Sequence, residues 1–144
     1  IVVGLVVITP AAGFVSPQSG LAMGVIGVMP SYYALQWRAR SRVDDSLDVA
    51  AAHGVGGLTG ALLVGVFASS AWNTVDGALA GRPLQLLLQC QTVLATLAYA
   101  SLGSFLLLKA IGVVTSLRVD EVTEHHGLDA LLHLEHVPNS AASE

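Results

Sequence analysis

One imidazole stands inside a long apolar run near the middle of the sequence. The run follows three carboxylates, Asp44, Asp45 and Asp48, and continues to Phe67 with no formally charged residue. His53 is the one titratable side chain within it. An ionisable group inside a membrane-spanning helix is costly in free energy, so it usually faces a helix-bundle interior or a pore. The pattern therefore predicts that His53 either faces a pore or forms a structural hydrogen bond to a neighbouring helix.

The residues just before His53 are candidates for the wall of such a pore. Helical spacing from His53 makes Val49 and Ala52 candidates to line the inner half of the pore. For Val49, packing against lipid or protein is an equally good interpretation.

The carboxylates nearest the run are predicted to begin its helix. Asp45 can cap the helix with its side chain, and Asp48 would occupy position N3 in a weak variant of the capping box. Acidic residues there also suit the positive end of the helix dipole. Asp44 is interpreted as a solvated loop residue. Neither Asp45 nor Asp48 is interpreted as a substrate ligand.

Glycines are frequent in the apolar run after His53, and we predict that they allow close helix packing. They include Gly54, Gly56, Gly57 and Gly60, and glycine allows membrane helices to approach each other closely. A phosphate-binding loop would need a preceding strand and a lysine, which this stretch lacks. We therefore predict packing, not phosphate binding, for Gly54 and Gly57 beside the histidine.

The composition indicates an all-α, polytopic membrane helix bundle. The chain has 144 residues, of which 53% are hydrophobic and 11% charged, whereas soluble domains are about a quarter charged. Six basic residues are scattered without a basic face, which argues against nucleic-acid binding. The adjacent His125 and His126 cannot both reach one ion from one helix face, so no metal site is predicted. Without a catalytic nucleophile, metal-ligand set or nucleotide loop, the sequence predicts neither an enzyme nor a cofactor.

Four apolar segments have the character of membrane helices. They cover residues 1–16, 21–37, 45–69 and 83–108, and the last can continue to residue 116. The polar group from Pro17 to Gly20 is predicted to separate the first two. Arg38, Arg40 and Arg42 follow the second segment and indicate a cytoplasmic loop by the positive-inside rule. We therefore expect membrane helices over residues 1–117 and a cytoplasmic tail over residues 118–144.

Three stretches resemble the signature of the ammonium transporter (Amt/Mep/Rh) family. They are Val43-Asp44-Asp45-Ser46-Leu47-Asp48-Val49 with Ala52-His53-Gly54-Val55-Gly56-Gly57, the stretch from Gly4 to Val15, and Leu117-Arg118-Val119 with Gly127-Leu128-Asp129. They occur in the family's order, and the resemblance covers essentially the whole chain. It implies the ammonium transporter fold, of which this chain would supply the last four of eleven spans. We therefore expect the C-terminal portion of a longer transporter.

The resemblance implies passage of ammonium or ammonia through a hydrophobic pore. His53 resembles one of two facing histidines that handle the proton shed by ammonium, and its partner would belong to an earlier span outside this chain. A homotrimer in the plasma membrane, surrounded by lipid, is implied as well. Two alternatives stay open: a non-transporting truncated remnant or assembly partner, and an electroneutral Rhesus-type gas channel or ammonium sensor.

The tail resembles the segment that couples subunits in the family and, in many members, meets a PII-type signal protein. The residues that carry this resemblance are Arg118, Gly127, Asp129 and His133. Two departures weaken it. His133-Leu134-Glu135 stands where the family usually has His-Gly-Glu, and Leu131 stands where some plant members have a phosphorylatable threonine. Phosphorylation at that position is therefore excluded.

Overall fold

The computed structural model describes residues 1–45 and 47–119, and every regular element within them is helical. That part of the chain contains four α-helices: α1 (Val2–Ile8), α2 (Pro17–Ala39), α3 (Gly56–Phe67) and α4 (Leu84–Val114). A π-helix, Ala50–Val55, runs directly into α3, and short 3-10 turns cover Thr9–Ala11 and Ala78–Ala80. The predicted all-α fold class is therefore confirmed for the described residues.

The first helix ends because Pro10 has no backbone N–H to donate. A proline leaves the carbonyl four residues earlier without its helical donor, which here is the carbonyl of Val6. The backbone N–H of Thr9 bonds the carbonyls of both Leu5 and Val6, and the Thr9 hydroxyl donates to the Leu5 carbonyl at 2.7 Å. The chain then tightens into the 3-10 turn, so α1 has only 7 residues.

The boundary between the first two helices lies upstream of the predicted one. We predicted a break from Pro17 to Gly20, but Pro17 is the first residue of α2 and Ser16 is its N-cap. The Ser16 hydroxyl oxygen accepts the backbone N–H three residues later at 3.1 Å. Proline is favoured at a first helical position because an N–H there would have no intrahelical partner. The break instead contains Gly13, whose φ of 79° is readily adopted by glycine. The predicted start at residue 21 is therefore wrong.

Val7 lies at the centre of the contact between the first three helices. Its side chain is fully buried, in a cluster that includes Ala11, Met23 and Val64. A Cβ built on Gly27 of α2 would lie 2.5 Å from a methyl carbon of Val7. Such close approach through glycine is a common way for membrane helices to pack. The core of this region is therefore built from small side chains at short helix separations.

Two helical stretches are long and apolar enough to cross a membrane. They are Ala50–Phe67, with 18 residues, and Leu84–Val114, with 31 residues. At 1.5 Å per residue the second is about 46 Å long, which exceeds a hydrocarbon core of ~30 Å. The first predicted span contains only the shorter apolar helix Val2–Ala11. Of the four predicted spans, the third and fourth thus meet the length and composition required for a crossing.

Internal contacts divide the chain into a unit of residues 1–99 and a unit that begins at residue 100. The first unit contains α1, α2, α3 and the candidate site. Within the second, the structure describes the end of α4 and the residues up to 119. No residue of α4 is buried in this chain. The predicted boundary between membrane helices and tail near residue 117 stays a prediction.

Candidate functional site

Asp45 caps the helical stretch that carries His53. Its two carboxylate oxygens accept hydrogen bonds from the backbone N–H groups of Val49 at 2.9 Å and Ala50 at 2.8 Å. N–H groups in a first helical turn have no preceding carbonyl to bond, and a carboxylate also suits the positive end of the helix dipole. Loss of such a cap costs about 1 kcal/mol.

Asp48 has a different role from the one that the capping-box pattern predicts. The π-helix begins at Ala50 with Val49 as its N-cap, so Asp48 precedes the helix and cannot be at N3. Its backbone N–H bonds the Asp45 carbonyl at 3.2 Å in a separate turn. Its φ is 56°, the one positive value among the described non-glycine residues. This left-handed region costs most L-residues ~1–2 kcal/mol, and aspartate is among those that tolerate it best. The capping-box prediction for Asp48 is therefore wrong.

The Asp48 carboxylate forms an ion pair with Arg38, in the last turn of α2. The Arg38 and Asp48 side chains are 28% and 34% exposed, and the Asp48 Oδ1 has essentially no accessible surface. The backbone carbonyl of Asp48 accepts the N–H of Ala52 at 2.8 Å. One residue thus links the end of α2 to the turn that precedes His53.

His53 lies in the π-helix Ala50–Val55 instead of a regular α-helix. π-helical turns are rare and occur frequently at functional sites. The His53 side chain is exposed in this chain, and its imidazole has no hydrogen bond within the described residues. Sequence reasoning missed the wide turn. The only feature of the sequence that could have indicated the π-helix is the group of glycines at Gly54, Gly56 and Gly57, because glycine lowers α-helix propensity.

The two predicted pore-lining residues belong to the same short stretch as His53. Val49 is 50% exposed, whereas Ala51 is buried; Ala52 is partly buried. The described chain therefore covers the helix around Ala51 and leaves Val49 and His53 uncovered. An uncovered surface suits either a pore wall or contact with lipid, so the pore-lining roles of Val49 and Ala52 stay predictions.

Gly60 makes the closest helix contact of α3. A Cβ built there would collide with the backbone carbonyl oxygen of Val7 and would lie 3.0 Å from the Pro10 ring. In contrast, a Cβ on Gly57 would meet only Val6, at 3.9 Å, and one on Gly54 would have no neighbour among the described residues within 4 Å. Packing against this part of the chain thus depends on Gly60, and the role predicted for Gly54 is not seen here.

Gly56 packs against a buried hydroxyl of α2. A Cβ on Gly56 would lie 3.4 Å from the Ser31 Oγ and 3.4 Å from a methyl carbon of Val6. Ser31 is fully buried, and its Oγ has no hydrogen-bond partner among the described residues. A buried polar group without a partner is destabilising. The contact between α2 and α3 therefore combines close packing with one unsatisfied hydroxyl.

Asp76, in the loop after α3, has a pKa below its ordinary value. The first cause is the Ser70 backbone N–H, which donates to the Asp76 carboxylate at 2.6 Å. A side-chain hydrogen bond from Ser70 and the charge of Arg82 add to the effect, and burial opposes it. These interactions favour the ionised carboxylate, so the loop is ordered around a negative charge.

The remaining predicted site residues are largely outside the described chain. Arg118 is exposed, and its backbone carbonyl accepts the Ser116 hydroxyl at 2.6 Å. Gly127, Asp129 and His133 lie outside the described residues. Within residues 1–45 and 47–119, no group of three His, Cys, Asp or Glu side chains could hold a metal ion.

Comparisons of sequence agree on one family. The profile of the Ammonium Transporter Family matches residues 1–137. Amt1, an ammonium transporter of Archaeoglobus fulgidus, is 40% identical over 134 residues, which are 93% of this chain and 34% of that protein. An ammonium transporter of Aquifex aeolicus is 40% identical over 140 residues, which are 96% of this chain and 33% of that protein. The chain spans about a third of the length of these curated relatives.

Comparison of structures gives the same answer. The crystal structure of Mep2 from Saccharomyces cerevisiae matches with a TM-score of 0.76 and 32% sequence identity, over 83% of this chain and 29% of that chain. The helices described above are therefore arranged as in a known transporter fold. The chain belongs to the ammonium transporter family, a family of integral membrane proteins.

Proposed function

We propose that this chain is part of a transporter that carries ammonium or ammonia across the plasma membrane, with His53 beside the transport path. The observation that carries the proposal is one uncovered imidazole in a π-helical turn of an apolar helical stretch. Family membership supplies the substrate class, because the relatives are named ammonium transporters.

His53 is proposed as one member of a histidine pair that handles the proton of ammonium. It is the only histidine among the described residues, so a second imidazole would come from another part of the full-length protein. The proton shed by ammonium passes to an imidazole nitrogen, and ammonia crosses the apolar part of the path. Val49 and Ala52 would line its inner half. Asp45 and Asp48 would hold the inner end of the helix without binding substrate, and no covalent reaction is catalysed.

The proposal extends to topology and assembly. The complete transporter would have eleven spans, with this chain as the last four, and would form a homotrimer surrounded by lipid. A cytoplasmic C-terminus is supported by Arg38, Arg40 and Arg42, which follow each other at the end of α2. The tail would couple subunits and meet a PII-type signal protein. Its support is the resemblance of the motifs around Arg118 and Asp129.

The test is His53→Ala in the full-length transporter. Uptake of radiolabelled methylammonium is measured per amount of trimer recovered from the membrane. We expect uptake to fall on the order of 100-fold, a typical loss when a proton-transfer group is removed, with normal insertion. Thr92→Ala is the matched control, because the exposed Thr92 hydroxyl bonds the Leu88 carbonyl of its own helix at 2.9 Å. Unchanged uptake in His53→Ala would overturn the proposed role.

Proteoliposomes separate the alternatives. A current that depends on ammonium supports transport of net charge, with the proton following its own route. Ammonia permeability without a current would indicate an electroneutral gas channel. If the purified full-length protein gives neither signal, a non-transporting assembly partner is the better interpretation.

A further inference from the structure

We propose that Arg38 and Asp48 are positioning residues that hold the π-helical turn carrying His53, and through that turn set the rate of transport. The inference rests on the proposed role of His53. Neither residue needs to touch the substrate. Their ion pair joins the last turn of α2 to the chain just before the π-helix.

Asp48 is fixed both through its side chain and through its backbone. The carboxylate contacts Arg38, and the backbone carbonyl accepts the N–H of Ala52 at 2.8 Å. Ala52 directly precedes His53 in the sequence. A displacement of Asp48 would therefore be passed to the histidine through one hydrogen bond and one peptide unit.

The backbone of Asp48 makes a sharp turn just before the π-helix. Its φ of 56° lies in the left-handed region, which most L-residues avoid and which aspartate and asparagine tolerate better than other residues. Asp45 caps the N–H groups of Val49 and Ala50, and its side chain forms no hydrogen bond or ion pair with α2 within the described chain. The Arg38–Asp48 pair is the ion pair between this turn and α2, and it adds to the apolar packing of the π-helix against α2.

The pair differs from an ordinary surface ion pair. Exposed pairs contribute little because water and salt screen them. Here both side chains are about two-thirds shielded, at 28% and 34% exposure, and the Asp48 Oδ1 is buried. Removal of one partner from a shielded pair leaves the other charge uncompensated, which costs more than removal of both. Arg40, two residues beyond Arg38, is exposed and forms no ion pair with the described residues.

Three single variants and one double variant of the full-length transporter test the proposal. Arg38→Gln and Asp48→Asn each remove one charge, and Arg40→Gln removes the same charge from a position outside the pair. Asparagine tolerates the left-handed region well, so Asp48→Asn removes the charge and keeps the backbone conformation. Arg38→Gln/Asp48→Asn removes both charges. The readouts are hydrogen exchange of the peptide covering residues 47–55 and methylammonium uptake per recovered trimer.

We expect exchange in that peptide to become several-fold faster in Arg38→Gln and Asp48→Asn, because the turn opens more often. The maximal uptake rate should fall about 10-fold with KM changed less than about 2-fold, since substrate binding is not what the pair supports. The double variant should be no slower than the slower single variant, because residues that act as a unit are non-additive. Arg40→Gln should match the wild type in both readouts.

Several results would overturn the inference. Unchanged exchange in Arg38→Gln and Asp48→Asn would mean that the pair does not hold the turn. Faster exchange with normal uptake would mean that the turn does not set the transport rate. Additive losses in the double variant, or an equal loss in Arg40→Gln, would mean that the two residues do not act as a pair. The proposed role of His53 has its own test, because normal uptake in His53→Ala would contradict that role whatever the Arg38 and Asp48 variants show.

Discussion

The two halves of the helical stretch Ala50–Phe67 are held in place by different interactions. The second half, α3, packs closely against α1, where a Cβ on Gly60 would strike the Val7 carbonyl. The first half, the π-helix, is held at its start by backbone N–H groups that donate hydrogen bonds to the Asp45 carboxylate and the Asp48 carbonyl. It leaves His53 exposed. Within the described residues, the second half is held by close packing alone, whereas the first half combines a buried contact at Ala51 with polar attachments and presents a titratable group.

The difference predicts that the two ends of one membrane helix respond to different kinds of substitution. Apolar contacts gain little from the hydrophobic effect in lipid, so close packing and hydrogen bonds hold the helices together. The packed half should therefore be sensitive to side-chain volume. The attached half should be sensitive to charge and hydrogen bonding. Substitutions that change side-chain volume alone, or charge and hydrogen bonding alone, test this distinction.

The largest effect is expected for Gly60→Ala. The added Cβ meets the Val7 backbone, which cannot rotate away as a side chain can, and overpacking of this kind costs about 3 kcal/mol. The thermal unfolding midpoint of the full-length transporter in detergent measures the loss. Gly54→Ala is the control, because its Cβ has open space among the described residues. Equal midpoints for the two variants would contradict a packed second half.

Asp45→Ala should have the next largest effect. It removes the acceptors of the Val49 and Ala50 N–H groups, and loss of a cap costs about 1 kcal/mol. Hydrogen exchange of those two amides should accelerate about 5-fold at this energy. Asp45→Asn keeps one acceptor oxygen in place of two, so it can bond only one of the two N–H groups, and its exchange should lie between that of the wild type and that of Asp45→Ala. If Asp45→Asn exchanges as fast as Asp45→Ala, charge and not capping holds this end.

Ser31→Ala should stabilise the contact between α2 and α3 by ~0.5–1 kcal/mol. The buried Ser31 hydroxyl has no partner among the described residues, and removing an unsatisfied polar group recovers part of its desolvation cost. The unfolding midpoint of the full-length protein is compared with that of Ser101→Ala, an exposed serine of α4. A lower midpoint for Ser31→Ala would show that another segment of the transporter bonds this hydroxyl.

The smallest effect concerns the loop after α3. Since the pKa of Asp76 is lowered from 3.8, its contribution to stability is complete above that value and is lost as pH falls through the lowered pKa. Fluorescence of Trp72, measured in the full-length protein with every other tryptophan replaced by phenylalanine, should thus stay constant from neutral pH to about pH 5 and change only in stronger acid. Asp76→Asn should abolish that acid transition. A transition that persists in Asp76→Asn would assign it to another group.

Part of this arrangement could be predicted from the sequence. The extent of the fourth helix followed from an uncharged run after Pro83, and the structure places α4 at Leu84–Val114. The position of His53 within an apolar helical stretch followed in the same way. The break before α2 did not, because Pro17 is as suitable for a first helical position as for a turn. Only the hydrogen bond to Ser16 decides between them.

The sequence by itself determined an all-helical, membrane-type chain with one imidazole inside an apolar stretch. Apolar runs of this length must satisfy their backbone hydrogen bonds internally, and helices do so. The tertiary structure alone decided the left-handed turn at Asp48, the π-helix around His53 and the choice of Gly60 as the close contact. Arg38 pairs with Asp48 and the Val7 carbonyl lies against Gly60, and such contacts between residues distant along the chain are fixed only when the helices pack together.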